Sequence, residues 1–281
     1  QGLQPARWYH YRFMLGDAVS AAGRTRTAPA AGDLPGALRV AFASCQRWEH
    51  GHYAAWRHLA ADQPDLVLYL GDYIYEYATP KTTTDLARTH SLRHATTLAD
   101  YRDRYALHKS DPALQLAHAT CPWAVTWDDH EVQNDYAADA GRGEAAGSAA
   151  FLAQRSAAWQ AFYENMPLRA ASLERPVLDT RWDALQIYRR LRWGRLAHIH
   201  LLDSRQYRSW QACRTPDASS APTVRPADCA ELAQPQRSLL GSLQERWLDA
   251  GLAADAASAQ ATRWSVIAQQ TLFSPRHYPS G

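Results

Sequence analysis

Short apolar runs alternate with amphipathic segments along most of the chain. "ALRVAFAS", "DLVLYLGD", "PWAVTWDD" and "ATRWSVIA" are typical of buried strands, whereas "GHYAAWRHLAADQ", "AAFLAQRSAAWQAFYENM" and "LLGSLQERWLDAGLAA" carry apolar residues at helical spacing. "TLADYRDRYALHKSDPALQLAHAT" predicts a helix that breaks near Asp111-Pro112. "LQIYRRLRWGRLAHIHLL" predicts a hairpin that turns near Trp193-Gly194. Strands that alternate with helices indicate an α/β domain.

The first residues follow a different pattern. "ARWYHYRFMLGDAVSAAGRTRTAP" predicts a hairpin of alternating strands, and a segment rich in Pro, Gly and Ala follows at 28–36. A two-stranded ribbon is marginally stable on its own. We therefore expect residues 1–35 to be the last hairpin of a β-domain with its linker, and residues 36–281 to form the main domain.

Composition excludes some classes of protein. The chain has 281 residues, of which 46% are hydrophobic and 21% charged, as is typical of a globular protein. A formal charge of +2 gives no reason to expect specific nucleic-acid binding or an acidic membrane surface. No apolar run approaches the ~20 residues of a transmembrane segment. The opening lacks a signal-peptide pattern, so we expect either a cytosolic protein or one whose export signal is absent from this sequence.

The cysteines fall into different contexts. Cys213 and Cys229 flank the loop "CRTPDASSAPTVRPADC", which is of the kind that a disulfide closes. A bond between them would indicate an oxidising compartment. Cys121 is expected to be a buried small hydrophobe, whereas Cys45 comes directly after a predicted strand.

Polar side chains follow several predicted strands. These strand ends are Ser44-Cys45-Gln46, Gly71-Asp72-Tyr73, Trp127-Asp128-Asp129-His130-Glu131 and Asp203-Ser204-Arg205. In α/β sheets, ligands collect at the carboxyl ends of the strands, because those loops meet along one edge. The coincidence of four such ends predicts one shared site.

The residue types at these ends favour a metal. Carboxylate, phenolate and thiolate are anionic donors that suit a highly charged ion such as ferric iron. Asp and Asn oxygens suit calcium, magnesium or manganese. Two metals about 3.5–4 Å apart would clamp a phosphate and activate water. Spacing alone leaves a second interpretation open, in which "DYIYEY" is a strand end packed by aromatic rings.

Five stretches of the chain have a specific sequence pattern: "FASCQRWEHGHYAAWRHLAADQPDLVLYLGDYIYEY", "WDDHEVQNDYA", "QRSAAWQAFYENMPLR", "LLDSRQYRS" and "GSLQERWLDAGL". In this order they resemble the PhoD-like alkaline phosphatase/phosphodiesterase family. The resemblance implies a calcineurin-like metallophosphatase fold, an α/β sandwich of two mixed β-sheets flanked by helices. The opening resembles the end of the family's fibronectin-like β-domain. The implied function is hydrolysis of phosphate mono- or diesters by a metal-activated hydroxide, in the periplasm or outside the cell.

The resemblance also implies a metal site with Fe3+ and Ca2+, in which Mg2+ or Mn2+ is the alternative second ion. Cys45, Asp72 and Tyr75 match the family's iron ligands, and Asp72 is expected to bridge to the second metal. Asn134 matches a ligand on the calcium side.

Three further positions carry expected roles. Asp129 is expected to be a metal ligand and His130 to hydrogen-bond the phosphate, and Arg155 matches an arginine that contacts the phosphate. Guanidinium suits that task because it offers parallel hydrogen bonds to two oxygens. We expect Asp203 and Arg205 to form a structural pair below the site.

The sequence departs from the family pattern in one respect. It contains no Gly-Asp-x-His segment after a late strand, where the family has further metal ligands. We therefore expect these 281 residues to be part of a longer protein, and by themselves to bind iron weakly and to have little activity. Two alternatives remain: a non-catalytic cell-envelope binding domain, and a phospholipase D-like or teichoic-acid phosphodiesterase. His198 and His200, which alternate on one strand, are expected to be sheet-face residues and not a metal pair.

Overall fold

The computed structural model describes residues 2–82, 84–169, 182, 185–215, 218, 222–257 and 262–274. Its strands are β1 Trp8–Tyr11, β2 Met14–Leu15, β3 Ala18–Val19, β4 Gly23–Arg26, β5 Val40–Ala43, β6 Leu66–Leu70, β7 Trp123–Thr126, β8 Arg189–Trp193, β9 Ala197–Leu201 and β10 Trp264–Ala268. Its α-helices are α1 Ala54–Asp62, α2 Leu98–Lys109, α3 Pro112–Thr120, α4 Ala149–Asn165 and α5 Gly241–Ala257. Short 3-10 turns lie at Trp48–His50, Pro226–Asp228 and Ala230–Ala233.

The strands of the first sheet, β5, β6 and β7, lie in that order and are parallel. The central strand β6 has the sequence "LVLYL", and its first four residues are buried. Because side chains alternate along a strand, its residues divide between two cores. Leu66 and Leu68 join the core between the two sheets. Val67 and Tyr69 join the larger core on the side of the helices.

The second sheet has the order β10-β9-β8, in which β9 pairs parallel with β10 and antiparallel with β8. Ile199 and Leu201 of β9 pack with Leu66 and Leu68 of the first sheet. Each such buried side chain contributes roughly 1.5–3 kcal/mol. The predicted sandwich of two sheets with helices is confirmed, as is the hairpin at Trp193-Gly194. The first sheet is parallel throughout its described strands, and the second is mixed.

The predicted helix break at Asp111 is also confirmed. The Asp111 carboxylate accepts hydrogen bonds from the backbone N–H groups of Ala113 at 2.9 Å and Leu114 at 3.2 Å, and Pro112 begins α3. Asp caps the free N–H groups of a helix and proline starts it without losing a bond, so the local sequence decides this boundary.

The opening segment forms two short antiparallel pairs, β1 with β4 and β2 with β3. Arg24 of β4 donates from Nε to the Thr120 carbonyl at the end of α3 at 2.6 Å. Arg26 forms an ion pair with Asp65, just before β6. These contacts attach the hairpin to the main sheet. Its expected origin in a fibronectin-like domain, with a boundary at residue 35, stays a prediction.

Candidate metal centre

The ends of β5 and β6 are joined by backbone hydrogen bonds beyond the strands themselves. The N–H of Cys45 donates to the Gly71 carbonyl and that of Gln46 to the Asp72 carbonyl, both at 3.1 Å. Cys45 and Asp72 have φ angles of 59° and 55°. The left-handed conformation costs a non-glycine residue roughly 1–2 kcal/mol. Such strain is concentrated at functional sites, where the surrounding structure maintains it.

Gly71 allows the ends of β6 and β7 to come close together. Its φ is +100°, and a Cβ there would lie 2.4 Å from the backbone nitrogen of Asp128. A larger residue would therefore separate the loop of Asp72 from the loop of Asp128. The sequence "GD" at this strand end thus has a steric reason.

The Asp72 carboxylate is the point on which the predicted iron ligands meet. Its Oδ2 accepts hydrogen bonds from Cys45 Sγ at 3.3 Å and from the Tyr75 hydroxyl at 3.1 Å. Its Oδ1 accepts one from the backbone N–H of His130 at 3.4 Å. Residues from three successive strand ends are therefore brought together around one buried carboxylate.

Asp72, Asp129 and His130 place donor atoms within 4.8 Å of one another. Burial raises the pKa of the Asp72 carboxyl, and the nearby charge of Asp129 adds to the rise. Burial also raises the pKa of Tyr75, and that of the Cys45 thiol to about 11. A cation at this place would offset the desolvation and repulsion of these anions. The donor set of carboxylate, imidazole, thiol and phenol therefore fits a metal ion.

Glu76 orients His130. It is fully buried, its Oε2 lies 2.8 Å from His130 Nδ1, and its Oε1 accepts the backbone N–H of Asn134 at 2.8 Å. Burial disfavours the charged imidazole, but the Glu76 carboxylate outweighs it and raises the pKa of His130 to about 9. The rings of Tyr75 and Tyr77 lie 4.2 and 5.2 Å from the imidazole, so its position is fixed on several sides.

Arg155, for which a phosphate contact is predicted, is bonded to a backbone carbonyl in this structure. Arg155 Nη1 donates to the Ala138 carbonyl at 2.6 Å, and its guanidinium carbon lies 4.4 Å from the ring centre of Trp159. Ala138 belongs to the loop that follows Asn134 in the chain, so α4 packs against the loop of the candidate ligands. The phosphate-binding role of Arg155 stays a prediction.

Glu131 lies at one of the strand ends predicted to form the site, but sequence reasoning gave it no role. It is fully buried, and its Oε2 accepts the N–H groups of Asp72 at 3.0 Å and Asp128 at 2.9 Å. Its Oε1 accepts the N–H of Tyr73 at 2.6 Å. Burial raises the pKa of Glu131 to about 8, with a further contribution from Asp72. An acid directly after "DDH" is the only signal in the sequence, and it gives no hint of burial.

Arg205 is bonded to Asp203 through its backbone N–H, as the expected structural pair, but its guanidinium contacts other acids. Its Nε donates to Asp128 at 2.5 Å and its Nη2 to Asp129 at 3.3 Å. The Asp203 carboxylate instead accepts the backbone N–H of Arg205, at 2.9 Å. Burial opposes ionisation of Asp129, but Arg205 outweighs it and lowers the pKa of Asp129. Arg205 therefore keeps one candidate ligand ionised, and Asp203 positions the backbone that carries it.

A second cluster with metal-type donors lies on the other sheet. His198 Nδ1 and His200 Nε2 lie 2.7 and 3.2 Å from the two oxygens of Asp255. Arg190 Nε donates to His200 Nδ1 at 3.3 Å. The proton of neutral His200 is therefore on Nε2, where it bonds Asp255 and leaves no lone pair for a metal. His198, His200 and Asp255 nevertheless place ligand-type atoms within 4.8 Å of one another, so the expectation that this histidine pair is not a metal site stays a prediction.

The predicted disulfide is present, since Cys213 and Cys229 are bonded with their Cα atoms 6.1 Å apart. No helix within the described residues has the length and apolar character needed to cross a membrane.

Comparison with known proteins assigns the chain to a family. Residues 40–280 match the family described as PhoD-like phosphatase, and residues 1–29 match its N-terminal domain. The chain belongs to the PhoD-like phosphatase family. It is 43% identical to alkaline phosphatase D of Bacillus subtilis (strain 168) over 275 residues, which are 97% of this chain and 44% of that protein. A solved structure of PhoD is 42% identical and superposes with a TM-score of 0.85 over 98% of this chain. The PhoD-like chain spans about half the length of these relatives, 44% and 49%.

Proposed function

We propose that this PhoD-like chain carries part of the active site of a metal-dependent phosphoric ester hydrolase. The observation that supports it best is the meeting of Cys45, Tyr75 and His130 on the buried Asp72 carboxylate. A strand end packed only by aromatic rings has no need of a thiol and two buried acids. The family membership points to the same chemistry.

The residues divide between two proposed ions. Cys45, Asp72 and Tyr75 would hold Fe3+, because phenolate and thiolate suit a highly charged ion. Asp72, Asn134 and Asp129 would offer oxygens to Ca2+, for which Mg2+ or Mn2+ is the alternative. Bound metals would supply Lewis-acid activation of water and of the phosphate oxygens.

The chain's own side chains would neutralise and orient the phosphate. His130 is held by Glu76 in a form with a raised pKa, so it can donate a hydrogen bond or a proton to a phosphate oxygen. Arg155 would contact a second oxygen after leaving the Ala138 carbonyl. Arg205 would keep Asp129 ionised throughout, because its guanidinium stays in contact with that carboxylate.

We also propose that the protein works outside the cytoplasm, where disulfides such as Cys213–Cys229 persist. Scavenging of phosphate from mono- or diesters in the periplasm or outside the cell would fit that location. A phosphodiesterase acting on lipid or teichoic-acid polymers would use the same metal chemistry.

Metal content and turnover measured on the same samples test the proposal. The complete natural polypeptide should contain iron and a second ion, and should release p-nitrophenol from mono- or diester substrates. Asp72→Asn should lose both metal and turnover by more than tenfold, since it removes the shared carboxylate. Asp103→Asn, on the exposed face of α2, is the matched control and should change neither.

Two outcomes would contradict the proposal. Full turnover in a metal-free sample would exclude the metal mechanism. Absence of both bound metal and turnover from the wild type would favour a non-catalytic binding domain of the cell envelope.

A further inference from the structure

A guanidinium lies one tyrosine ring away from the candidate metal centre. Arg47 follows Cys45 by two residues, at the carboxyl end of β5. Its guanidinium carbon lies 5.7 Å from the ring centre of Tyr75 and 5.5 Å from that of Tyr77. Both rings also contact His130, at 4.2 and 5.2 Å. Arg47 and His130 thus lie along the same pair of aromatic rings.

The terminal amino groups of Arg47 remain available for a ligand. Its Nε contacts Glu49 Oε2 at 3.4 Å, a long contact for a charged pair. Among the described residues, the remaining contacts of this guanidinium are with the two tyrosine rings. The side chain is 21% exposed, so solvent and ligands reach it. An arginine whose two terminal amino groups are free can bind two oxygens of a carboxylate or a phosphate.

The charges around Arg47 are compatible with an anion. Glu49 is the nearest acid, and its carboxylate also contacts His90, whose Nε2 lies 3.2 Å from Glu49 Oε1. Burial opposes its ionisation, but the His90 hydrogen bond outweighs it and the pKa of Glu49 falls to about 2. Glu76, on the same loop as Tyr77, is bonded to His130. Both acids therefore have cationic or hydrogen-bonding partners of their own.

We propose that Arg47 and Tyr77 form an anion subsite that binds a second negatively charged group of the ester substrate. This inference rests on the proposed function, because the subsite is defined relative to the reacting phosphate. The occupant is a phosphate or carboxylate on the substituent that extends from the reacting ester. Arg47 binds two of its oxygens, and the ring of Tyr77 packs against the guanidinium and holds it in position. Substrates with an uncharged substituent gain nothing from this contact.

Turnover of two matched esters tests the subsite in the complete natural polypeptide. One is p-nitrophenyl propyl phosphate, and the other carries a phosphonate at the end of the propyl group. A charged hydrogen-bonded contact gives the anionic ester roughly tenfold higher kcat/KM. Arg47→Gln should remove that preference, whereas Arg47→Lys should keep part of it. Arg102→Gln, an exposed arginine paired with Glu164, should leave the preference intact.

Binding provides a readout that does not depend on turnover. Calorimetric titration should show that 1,3-propanediphosphonate binds the wild type roughly tenfold more tightly than propylphosphonate, and that Arg47→Gln abolishes this difference. Equal effects of Arg47→Gln on both ligands, or none on either, would overturn the subsite. A protein that turns over neither ester but keeps the binding preference would contradict the proposed function and support the subsite.

Discussion

The Glu131 carboxylate accepts the backbone N–H of Asp72 at 3.0 Å, and the same oxygen accepts that of Asp128 at 2.9 Å. One buried acid thereby joins the ends of two neighbouring strands. Asp72 is held in its left-handed conformation by this bond and by the close packing at Gly71. The geometry of the candidate ligands consequently depends on a residue that need not contact a metal.

Replacing Glu131 with Gln tests that dependence. An amide offers one acceptor oxygen in place of two, so the N–H of Tyr73 or the pair from Asp72 and Asp128 is left unbonded. Each unsatisfied buried group costs about 1–3 kcal/mol. We expect urea unfolding to show a loss of that size and the bound metal to fall. Glu164→Gln, at an exposed helix position, is the control, and equal losses in the two variants would contradict this role for Glu131.

Arg205→Gln should destabilise the protein more strongly. The guanidinium contacts Asp128 and Asp129 from a strand end about 75 residues later in the chain, and all three side chains are largely buried. Removing one partner of a buried pair costs roughly 3–5 kcal/mol, because the remaining charge is uncompensated. Arg205→Lys should recover part of the loss. Denaturant unfolding measures the loss in free energy of unfolding, with Arg102→Gln as the control. A loss below ~1 kcal/mol would show that the carboxylates find another partner.

The disulfide predicts a definite number of thiols. Under denaturing, non-reducing conditions, Cys45 and Cys121 are the two cysteines that should react, because Cys213 and Cys229 are bonded. Cys213→Ser with Cys229→Ser should lower the free energy of unfolding by about 3 kcal/mol through loss of loop closure. A count of four thiols in protein isolated under oxidising conditions would contradict the pairing.

His108 makes the stability depend on pH. Burial lowers the pKa of His108 to about 4, and its Nδ1 lies 2.9 Å from the Arg104 carbonyl. Between pH 4 and the unfolded pKa of about 6.5, the unfolded state binds a proton that the folded state does not. The free energy of unfolding therefore falls as the pH is lowered through this window.

A comparison with His108→Gln isolates this contribution from those of the carboxylates. The difference in unfolding free energy between wild type and variant should change by on the order of 1–3 kcal/mol from pH 7 to pH 4. His58→Gln, an exposed histidine in α1 at some distance along the chain, is the control and should follow the wild type. Parallel curves for wild type and His108→Gln would show that His108 is not buried in its neutral form.

Sequence reasoning predicted those features of the site that depend on residue type and on position at a strand end. Polar residues at the ends of apolar runs predicted that Cys45, Asp72 and Asp129 would meet, since parallel strands bring their carboxyl ends to one edge. The disulfide followed from a loop between two cysteines. Asp111 and Pro112 marked a helix start through capping, which depends on neighbours in the chain.

The partners of charged side chains could not be predicted in the same way. The expected pair of Asp203 and Arg205 is joined through the backbone N–H of Arg205, but the Arg205 guanidinium reaches Asp128 and Asp129 on another strand end. Glu131 has no sequence mark that separates it from a solvated acid. Arg155 was assigned to the phosphate by resemblance, and in this structure it donates to the Ala138 carbonyl.

The sequence by itself determined the order of strands and helices, the family, and the kinds of donor atom at each strand end. These properties depend on periodicity and on residue identity, which are local. Only the tertiary structure decided that Glu131 joins two strand ends, that Glu76 raises the pKa of His130, and that Arg47 lies over the tyrosines beside it. The reason is that burial and ionisation depend on distances between segments far apart in the chain, which only the packing of the sheets and loops sets.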